Sequence, residues 1–474
     1  MVFSSHIFLF YFLPLTLLGY YVMVRLRCNI SWVNLFVTIA SYAFYGWFQP
    51  YFIILMWITT FTNYMCGRVI SKPGATPAQR NTALVVGITV SLGFLAFFKY
   101  YMFAMNGINR LIELCGAGSN FFHVMEVALP IGISFYTFQA LSYTIDVWRG
   151  DAPPVKDMKT FSCFVALFPQ LIAGPIIRYN TVAEQLAGRE HSFEKFSSGA
   201  SIFMLGFAKK ILLANAAGAV ANAVFRADAP DMATAWWGAL GYHFQIYFDF
   251  CAYSDMAVGL GRMMGFEFIK NFNGPYRSVS ISDFWSRWHI SLSTWIRDYL
   301  YISLGGNRKG PGRTYFNLGI SMFLCGLWHG AQMTFVLWGI FHGVLLIWER
   351  TMGRQPVYKK FPTVLKILIT NVIVIFGWVI FRAPSVDQAA LYWKAMLGLG
   401  ATVPASDILR TEMFSMKYMA EMVICALLVW QPIQAHEWVK KLTPVKVVLL
   451  MIVFLYAIVS MFTQAFNPFL YFQF

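Results

Sequence analysis

The sequence predicts an all-α, polytopic integral membrane protein. Hydrophobic residues make up 58% of the 474 residues and charged residues only 12%, whereas soluble domains carry about 25% charged residues. Apolar runs recur along the whole chain. Since about 20 residues cross a bilayer, we expect about eleven transmembrane helices, together with re-entrant and interfacial helices. Residues 1–474 are therefore expected to form one membrane domain.

The positive charge fits membrane topology better than nucleic-acid binding. The formal charge is +15, but Lys and Arg are spread through short loops between apolar runs instead of forming one stripe. Cytoplasmic loops of membrane proteins hold an excess of these residues. We therefore expect the lipid bilayer as a partner and no nucleic acid.

Cysteine and histidine spacing gives no sign of a metal centre. The seven cysteines occur singly, and none forms a CxxC motif, so neither a zinc ribbon nor a disulfide framework is indicated. His436 and Glu437 lack the second histidine of a zinc-binding helix. We expect no bound metal.

The first third of the chain predicts five spans. Residues 1–27 lack the basic start of a signal peptide and are expected to remain as the first span. The basic residues that follow this span would face the cytoplasm. The other four apolar runs cover 32–48, 51–70, 82–105 and 125–148.

The middle of the chain is less regular. Residues 161–177 are broken by two prolines and a glycine, which favours a re-entrant element over a full span. Residues 197–224 are apolar but interrupted by Lys209 and Lys210, which suggests a helix at the inner interface or entering from it. One or two membrane elements are expected within 232–266.

Three glycines at 259, 261 and 265 resemble a dinucleotide-binding loop. Their spacing is GxGxxxG, however, and no strand precedes them. Close helix packing through Gly261 and Gly265 is the better explanation.

Residues 281–304 are predicted to form one two-faced helix. At 100° per residue, the aromatic and aliphatic side chains share one arc and the charged side chains lie opposite, as in a helix at the membrane interface. His289 falls at the edge of the apolar arc, on the side facing the protein. Ser280 and Asp283 form a plausible capping box at the start.

The last third predicts five further spans. They follow a glycine-rich, basic loop at 305–313, and a polar stretch at 383–417 interrupts them. The predicted spans are 315–328, 334–348, 364–381, 418–430 and 445–462.

His329 is the first candidate for chemistry. An imidazole takes or gives a proton near neutral pH, so a histidine inside an apolar segment is a functional candidate. Gly326 and Gly330 would let another backbone or a substrate approach, and Trp328 could wall a cavity. The alternative is a structural ring bonded to a backbone carbonyl. His289 is the second candidate.

The acids Asp249 and Asp255 are costly at membrane depth unless they are paired. Lys209, Arg262 or Arg287 could be partners, and a buried structural network is favoured over catalysis. Other catalytic patterns are missing: the sequence contains no GxSxG, no HExxH and no Cys beside a His. His243 lies six positions from Asp249, not the five of soluble acyltransferase motifs.

Basic residues are dense between 262 and 313. Cytoplasmic topology explains them, but they could also form a vestibule for an anionic, phosphate-bearing donor such as a coenzyme A thioester. The positions are 262, 270, 277, 287, 297, 308, 309 and 313.

The chain resembles the membrane-bound O-acyltransferase family, in its alginate O-acetyltransferase-like branch of bacterial exopolysaccharide acetylation proteins. The likeness extends from the N-terminus through about residue 382. Five strings carry it: LPIGISFYTFQALSYTIDVWRGD from Leu129, FPQLIAGPIIR from Phe168, YFDFCAYSDMAVGLG from Tyr247, NFNGPYRSVSISDFWSRWHISLSTWIRDYLYISLGGNRKG from Asn271, and GLWHGA from Gly326.

The resemblance implies a ring of helices around a central tunnel that joins a cytoplasmic donor site to the opposite face. The family's near-invariant histidine corresponds to His329, which would act as a general base or briefly carry the acyl group. The family's second polar position corresponds to His289, which would orient the thioester or return a proton to the thiolate. His342, Trp328 and Trp288 would be accessory residues of the tunnel.

The resemblance also implies a donor, a location and partners. Acetyl-CoA would be the acyl donor, with its phosphates held by Arg287, Arg308 and Lys309. The protein would lie in the bacterial inner membrane and work with a polysaccharide synthase complex and a periplasmic acetyltransferase with an SGNH-hydrolase-like domain. Alginate, cellulose and peptidoglycan all stay open as final acceptors.

Two other classes of function use the same features. A transporter or flippase for lipid-linked sugar would also need apolar helices, internal charges and broken segments. A non-catalytic scaffold of a polysaccharide synthase would make both histidines replaceable. Only an enzyme would consume a thioester in a manner that depends on His329.

Overall fold

The computed structural model describes residues 1–116, 121–227, 230–353, 355–400, 407–464 and 469–470. Within these ranges the regular structure is helical and contains no strand, which confirms the predicted all-α class. Seven helices of the described residues are long and apolar enough to cross a membrane. The chain is therefore a multi-pass membrane protein. Some predicted spans correspond to shorter helices, such as Ile30–Gly46.

The described residues fall into two compact units. The first comprises Met1–Ser197 and Leu260–Phe268. The prediction of one domain over 1–474 stays a prediction. The helices of the first unit are α1 (Phe8–Arg25), α2 (Ile30–Gly46), α3 (Phe52–Ile70), α4 (Pro77–Leu114), α5 (Ile133–Arg149), α6 (Met158–Ala166), α7 (Phe168–Leu171) and α8 (Tyr179–Ala187).

The span predicted at 125–148 begins later than expected. Residues 124–130 have no regular secondary structure, and α5 starts at Ile133 after Gly132. Gly132 has a φ of 75°, and a Cβ there would lie 2.7 Å from the carbonyl oxygen of Leu171. A left-handed residue packed against another backbone starts the helix at this point. The predicted break within 161–177 is confirmed, because α6 and α7 are separate, buried helices.

The second unit comprises Ser198–Gly259 and Ile269–Phe474. The chain passes between the units three times: within α9, within α10, and between Phe268 and Ile269. The helices are α9 (Phe193–Phe225), α10 (Met232–Met263), α11 (Ile281–Arg287), α12 (Ile290–Trp295), α13 (Gly310–His329), α14 (Met333–Thr351), α15 (Thr363–Arg382), α16 (Val386–Met396), α17 (Asp407–Met413), α18 (Met416–Trp430), α19 (Ala435–Trp438) and α20 (Pro444–Thr463).

The lysine pair at 209–210 interrupts the apolar run but not the helix, and the expected position of this helix, at the inner interface or entering from it, stays a prediction. Helix α9 continues through the pair, with a π-helical turn at Lys209–Ala214, and is long and apolar enough to cross a membrane. Each lysine forms an ion pair with an acid of α10: Lys209 with Asp255 at 2.7 Å and Lys210 with Asp249 at 2.5 Å. Pairing keeps either ammonium group from standing alone in an apolar environment.

The prediction of one continuous helix over 281–304 is wrong. Helix α11 ends at Arg287, α12 starts at Ile290, and a π-helical segment follows at Ile296–Tyr301. The break lies at His289, which has a left-handed backbone with φ 43°. The predicted N-cap is present, since Ser280 Oγ accepts a hydrogen bond from the Asp283 N–H at 3.0 Å.

The predicted helix packing through Gly261 and Gly265 is also wrong. The close contact occurs at Gly259, where a Cβ would lie 2.6 Å from the carbonyl oxygen of Gly199. Gly265 instead has a φ of 83° and lies just beyond the end of α10. A left-handed glycine after a helix is a common way to end it.

Candidate active site

Two glycines bring α13 and α14 into close contact and so position His329. A Cβ on Gly326 would lie 3.1 Å from the Cα of Gly339 and would clash with the Phe335 carbonyl oxygen. Such small residues let helix backbones approach each other in membranes. His329, the last residue of α13, lies about one turn beyond Gly326.

Aromatic rings surround the His329 imidazole. Its ring centroid lies 5.1 Å from those of Trp328, Trp338 and Phe381, each in an edge-to-face arrangement. The residue is 6% exposed. The sequence predicted a buried histidine at this position, but it did not identify Trp338 or Phe381, which come from α14 and α15.

A small cavity adjoins His329. Its volume of ≈ 20 Å³ is enough for about one water molecule. Among the described residues that line it, Asp249 is the one carboxylate. The cavity is lined by Ile246, Asp249, Phe250, Trp288, His329, Trp338, Trp378, Phe381, Phe469 and Leu470.

His289 is held by a polar residue that the sequence analysis did not single out. Its Nδ1 lies 3.2 Å from Oδ1 of Asn271. Its Nε2 has no hydrogen-bond partner among the residues that the structure describes. The residue is 1% exposed, and burial lowers the pKa of its imidazole to about 3. The ring is therefore neutral at physiological pH.

The two histidines meet at one tryptophan. The indole of Trp328 lies 6.0 Å from the His289 ring and 5.1 Å from the His329 ring, measured between centroids. In the sequence, only the family resemblance implied that His289 and His329 lie close together. The spacing of the two histidines along the chain could not predict this proximity, because the helix is interrupted before α12 and helical periodicity no longer gives the position of His289.

The accessory candidates surround the same region. Trp288 lines the cavity, and its ring lies 4.9 Å from that of Trp378. His342 is fully buried on α14, with its ring 4.9 Å from that of Trp338. Its Nδ1 accepts a hydrogen bond from Trp285 Nε1–H at 3.4 Å.

The two acids of α10 have different surroundings. Asp249 is buried, pairs with Lys210, and accepts a hydrogen bond from the Leu470 N–H at 2.6 Å. Asp255 is partly exposed and pairs with Lys209. Lys209 was among the partners that the sequence suggested, whereas Lys210 was not.

The basic candidates are not gathered beside His329. Arg287 is one-third exposed and pairs with Asp283 at 2.7 Å. Arg308 and Lys309 are exposed just before the first turn of α13, whereas His329 is its last residue. A helix of 20 residues is about 30 Å long, so the two groups mark its opposite ends.

A much larger cavity lies on the other face of α10 and was not predicted. Its volume is ≈ 930 Å³, and it lies between α9, α10, α18 and α20. Lys209 and Tyr247 contribute to its wall, but none of the candidate histidines does. Among the described residues, no group of three or more His, Cys, Asp or Glu side chains is placed to hold a metal ion.

Comparisons with known proteins agree with the motifs. A family model described as MBOAT, membrane-bound O-acyltransferase family, matches residues 39–387. The probable alginate O-acetylase AlgI of Pseudomonas putida is 42% identical over 100% of both chains. Its counterpart in Pseudomonas aeruginosa is 46% identical over 84% of this chain and 75% of the relative. A peptidoglycan O-acetyltransferase of Helicobacter pylori is 32% identical over 84% of this chain and 80% of the relative.

Proposed function

The chain belongs to the membrane-bound O-acyltransferase family, and from this premise we propose that it moves acetyl groups from acetyl-CoA for the O-acetylation of an exopolysaccharide such as alginate or cellulose. That it is an O-acyltransferase follows from the family. The names of its relatives support acetyl as the group and a polysaccharide as the acceptor.

The observation that carries the proposal is the buried histidine pair at Trp328. Acyl transfer from a thioester to a hydroxyl needs a group that removes the hydroxyl proton and a group that protonates the leaving thiolate. His329 removes the proton as the hydroxyl oxygen attacks the thioester carbonyl. The carbon–sulfur bond then breaks, and the proton that His329 took from the hydroxyl reaches the sulfur by way of His289. Oxygen is acylated, and coenzyme A leaves as its thiol.

The size of the cavity supports a short acyl group. About 20 Å³ beside His329 holds little more than a water molecule. Its walls are large aromatic side chains, which are expensive to displace in a packed interior. A two-carbon acyl group needs less rearrangement of these rings than a long chain would.

The donor enters from the cytoplasm and is held by basic residues. Arg308 and Lys309, which are exposed, and Arg287, which is partly exposed, bind the phosphates of coenzyme A, because accessible guanidinium and ammonium groups form charge-assisted hydrogen bonds with phosphate oxygens. The protein lies in the bacterial inner membrane, as the organisms of its relatives support. A periplasmic acetyltransferase with an SGNH-hydrolase-like domain completes the transfer to the polymer, within a polysaccharide synthase complex.

The proposal is tested with the purified full-length protein in liposomes. Release of free coenzyme A thiol from radiolabelled acetyl-CoA measures donor consumption. His329→Ala should lower the rate by about 10²- to 10⁴-fold, the usual contribution of positioned proton transfer. His436→Ala is the matched control, since His436 lies on the short helix α19 and outside the lining of the His329 cavity.

Two results would overturn the proposal. A wild-type protein that consumes no acetyl-CoA would favour the transporter or the scaffold. A His329→Ala variant with wild-type activity and normal abundance would remove His329 from the chemistry. Acetyl ester content of alginate and of cellulose from cells with and without the protein then identifies the polymer.

A further inference from the structure

Asn271 is a buried amide whose oxygen faces three donors. The residue is 2% exposed and lies between α10 and α11. Its Oδ1 lies 3.2 Å from the Ser291 backbone nitrogen, 2.9 Å from Ser291 Oγ and 3.2 Å from His289 Nδ1. Its Nδ2 has no hydrogen-bond partner among the described residues.

The backbone of Ser291 fixes the orientation of this amide. A backbone N–H can only donate, so the Asn271 atom that faces it must be the oxygen. An amide oxygen can only accept, so His289 Nδ1 must carry a proton to bond to it. The unprotonated nitrogen of the neutral ring is then Nε2.

We propose that Asn271 is a positioning residue that holds His289 as the Nδ1–H tautomer, with its lone pair on Nε2. This inference rests on the proposed function, because it specifies how His289 can serve acyl transfer. In this tautomer Nε2 has no proton to give at the start of the reaction. It receives the proton that His329 took from the acceptor hydroxyl and passes it to the thiolate sulfur, while Nδ1 keeps its own proton throughout.

The backbone around Asn271 holds the unusual conformation of His289. The Asn271 carbonyl oxygen accepts the Ile290 N–H at 2.9 Å, and the Arg287 carbonyl oxygen accepts the Asn273 N–H at 3.0 Å. These two bonds flank His289, whose φ of 43° breaks the helix. Strained residues persist where surrounding contacts over-determine them, and they cluster at active sites.

Three variants separate positioning from structural support. Asn271→Leu keeps the volume but removes the acceptor. Asn271→Asp keeps an acceptor at the same place, and its negative charge raises the pKa of a neighbouring imidazole. Ser291→Ala removes one donor to Asn271 and the 3.5 Å contact between Ser291 Oγ and His289 Nδ1, but leaves the Asn271 oxygen as the acceptor for His289.

The test is the pH dependence of thiol release from acetyl-CoA by the full-length protein in liposomes. We expect Asn271→Leu to lower kcat at least about tenfold with little change in KM, and Ser291→Ala to lower it less than about twofold. Asn271→Asp should recover activity relative to Asn271→Leu. The acid limb of the pH–rate profile of Asn271→Asp should lie at higher pH than that of the wild type, because His289 must be unprotonated to receive a proton.

Equal losses in Asn271→Leu and Asn271→Asp, or an unchanged acid limb in an active Asn271→Asp variant, would overturn the positioning role. If Asn271→Leu does not accumulate in the membrane, the pH dependence of thiol release by Asn271→Asp still tests the positioning role. A failure of the proposed function would look different, because the wild type itself would then release no thiol.

Discussion

Lys210 and Asp249 form an ion pair in the interior of the second unit, with Nζ 2.5 Å from Oδ1 and side chains that are only 4% and 2% exposed. Removing one partner of such a pair leaves a buried charge without its counterion. We expect Lys210→Met to lower the free energy of unfolding by about 3–5 kcal/mol, measured by thermal unfolding in detergent micelles.

The control for that change is an exposed ion pair. Glu267→Gln removes the charge that pairs with Arg262 and with Lys195, both partly exposed contacts, and should cost less than about 1 kcal/mol. The double variant Lys210→Met with Asp249→Leu should recover most of the lost stability, since two apolar side chains can replace a buried pair. Equal effects of Lys210→Met and Glu267→Gln would contradict the burial argument.

Gly326→Ala should disturb the site by separating two helices. The added methyl group would clash with the Phe335 carbonyl oxygen and press on Gly339. Because backbone atoms cannot move aside cheaply, we expect reduced abundance in the membrane and at least about a tenfold loss of activity per molecule. Gly319→Ala on the same helix is the control: its methyl group would meet only a side-chain atom of Ile347 at 3.6 Å. A normal, active Gly326→Ala protein would argue against this packing.

Neutralising the basic residues before α13 should weaken donor binding without slowing chemistry. Arg308→Gln combined with Lys309→Gln should raise the KM for acetyl-CoA by about 5- to 30-fold, corresponding to about 1–2 kcal/mol. The value of kcat should stay the same, because these residues lie at the opposite end of α13 from His329. Arg297→Gln is the control, since Arg297 pairs with Asp298 at 2.6 Å. An unchanged KM would indicate that Arg308 and Lys309 serve membrane topology and do not bind the donor.

His342→Gln should be much milder than His329→Gln, although both histidines are buried. The Nδ1 of His342 accepts from Trp285, so its proton is on Nε2 and that nitrogen offers no lone pair to a substrate. His342 is also absent from the lining of the small cavity. We expect less than a tenfold loss in kcat for His342→Gln and at least about a hundredfold loss for His329→Gln. Similar losses would make His342 a catalytic residue as well.

The sequence predicted the membrane class correctly because that class depends on local composition. Apolar runs report burial in a bilayer whatever their partners are, and His329 stood out as a polar residue within one of them. Glycines beside it predicted a close approach, and the structure has this contact between Gly326 and Gly339.

Sequence patterns gave incomplete or wrong predictions where the structure depends on the conformation of one residue or on a partner that is distant in sequence. A periodicity of 100° per residue predicts a continuous helix over 281–304, but a single left-handed residue, His289, breaks it. The sequence also did not identify Lys210 as the partner of Asp249, because the two residues lie about forty positions apart. Asn271 carries no local signal at all, since its role depends on donors twenty positions later.

The π-helical turn at Lys209–Ala214 has a consequence for how α9 tolerates deletions. A π turn contains one residue more than an α turn, so losing one residue there would restore ordinary winding instead of opening a gap. The rest of α9 would then keep its orientation relative to the part before the turn. A one-residue deletion in this turn would therefore leave the side chains that face the large cavity in place, whereas the same deletion in an ordinary α-helical part of α9 would rotate the rest of the helix by about 100°.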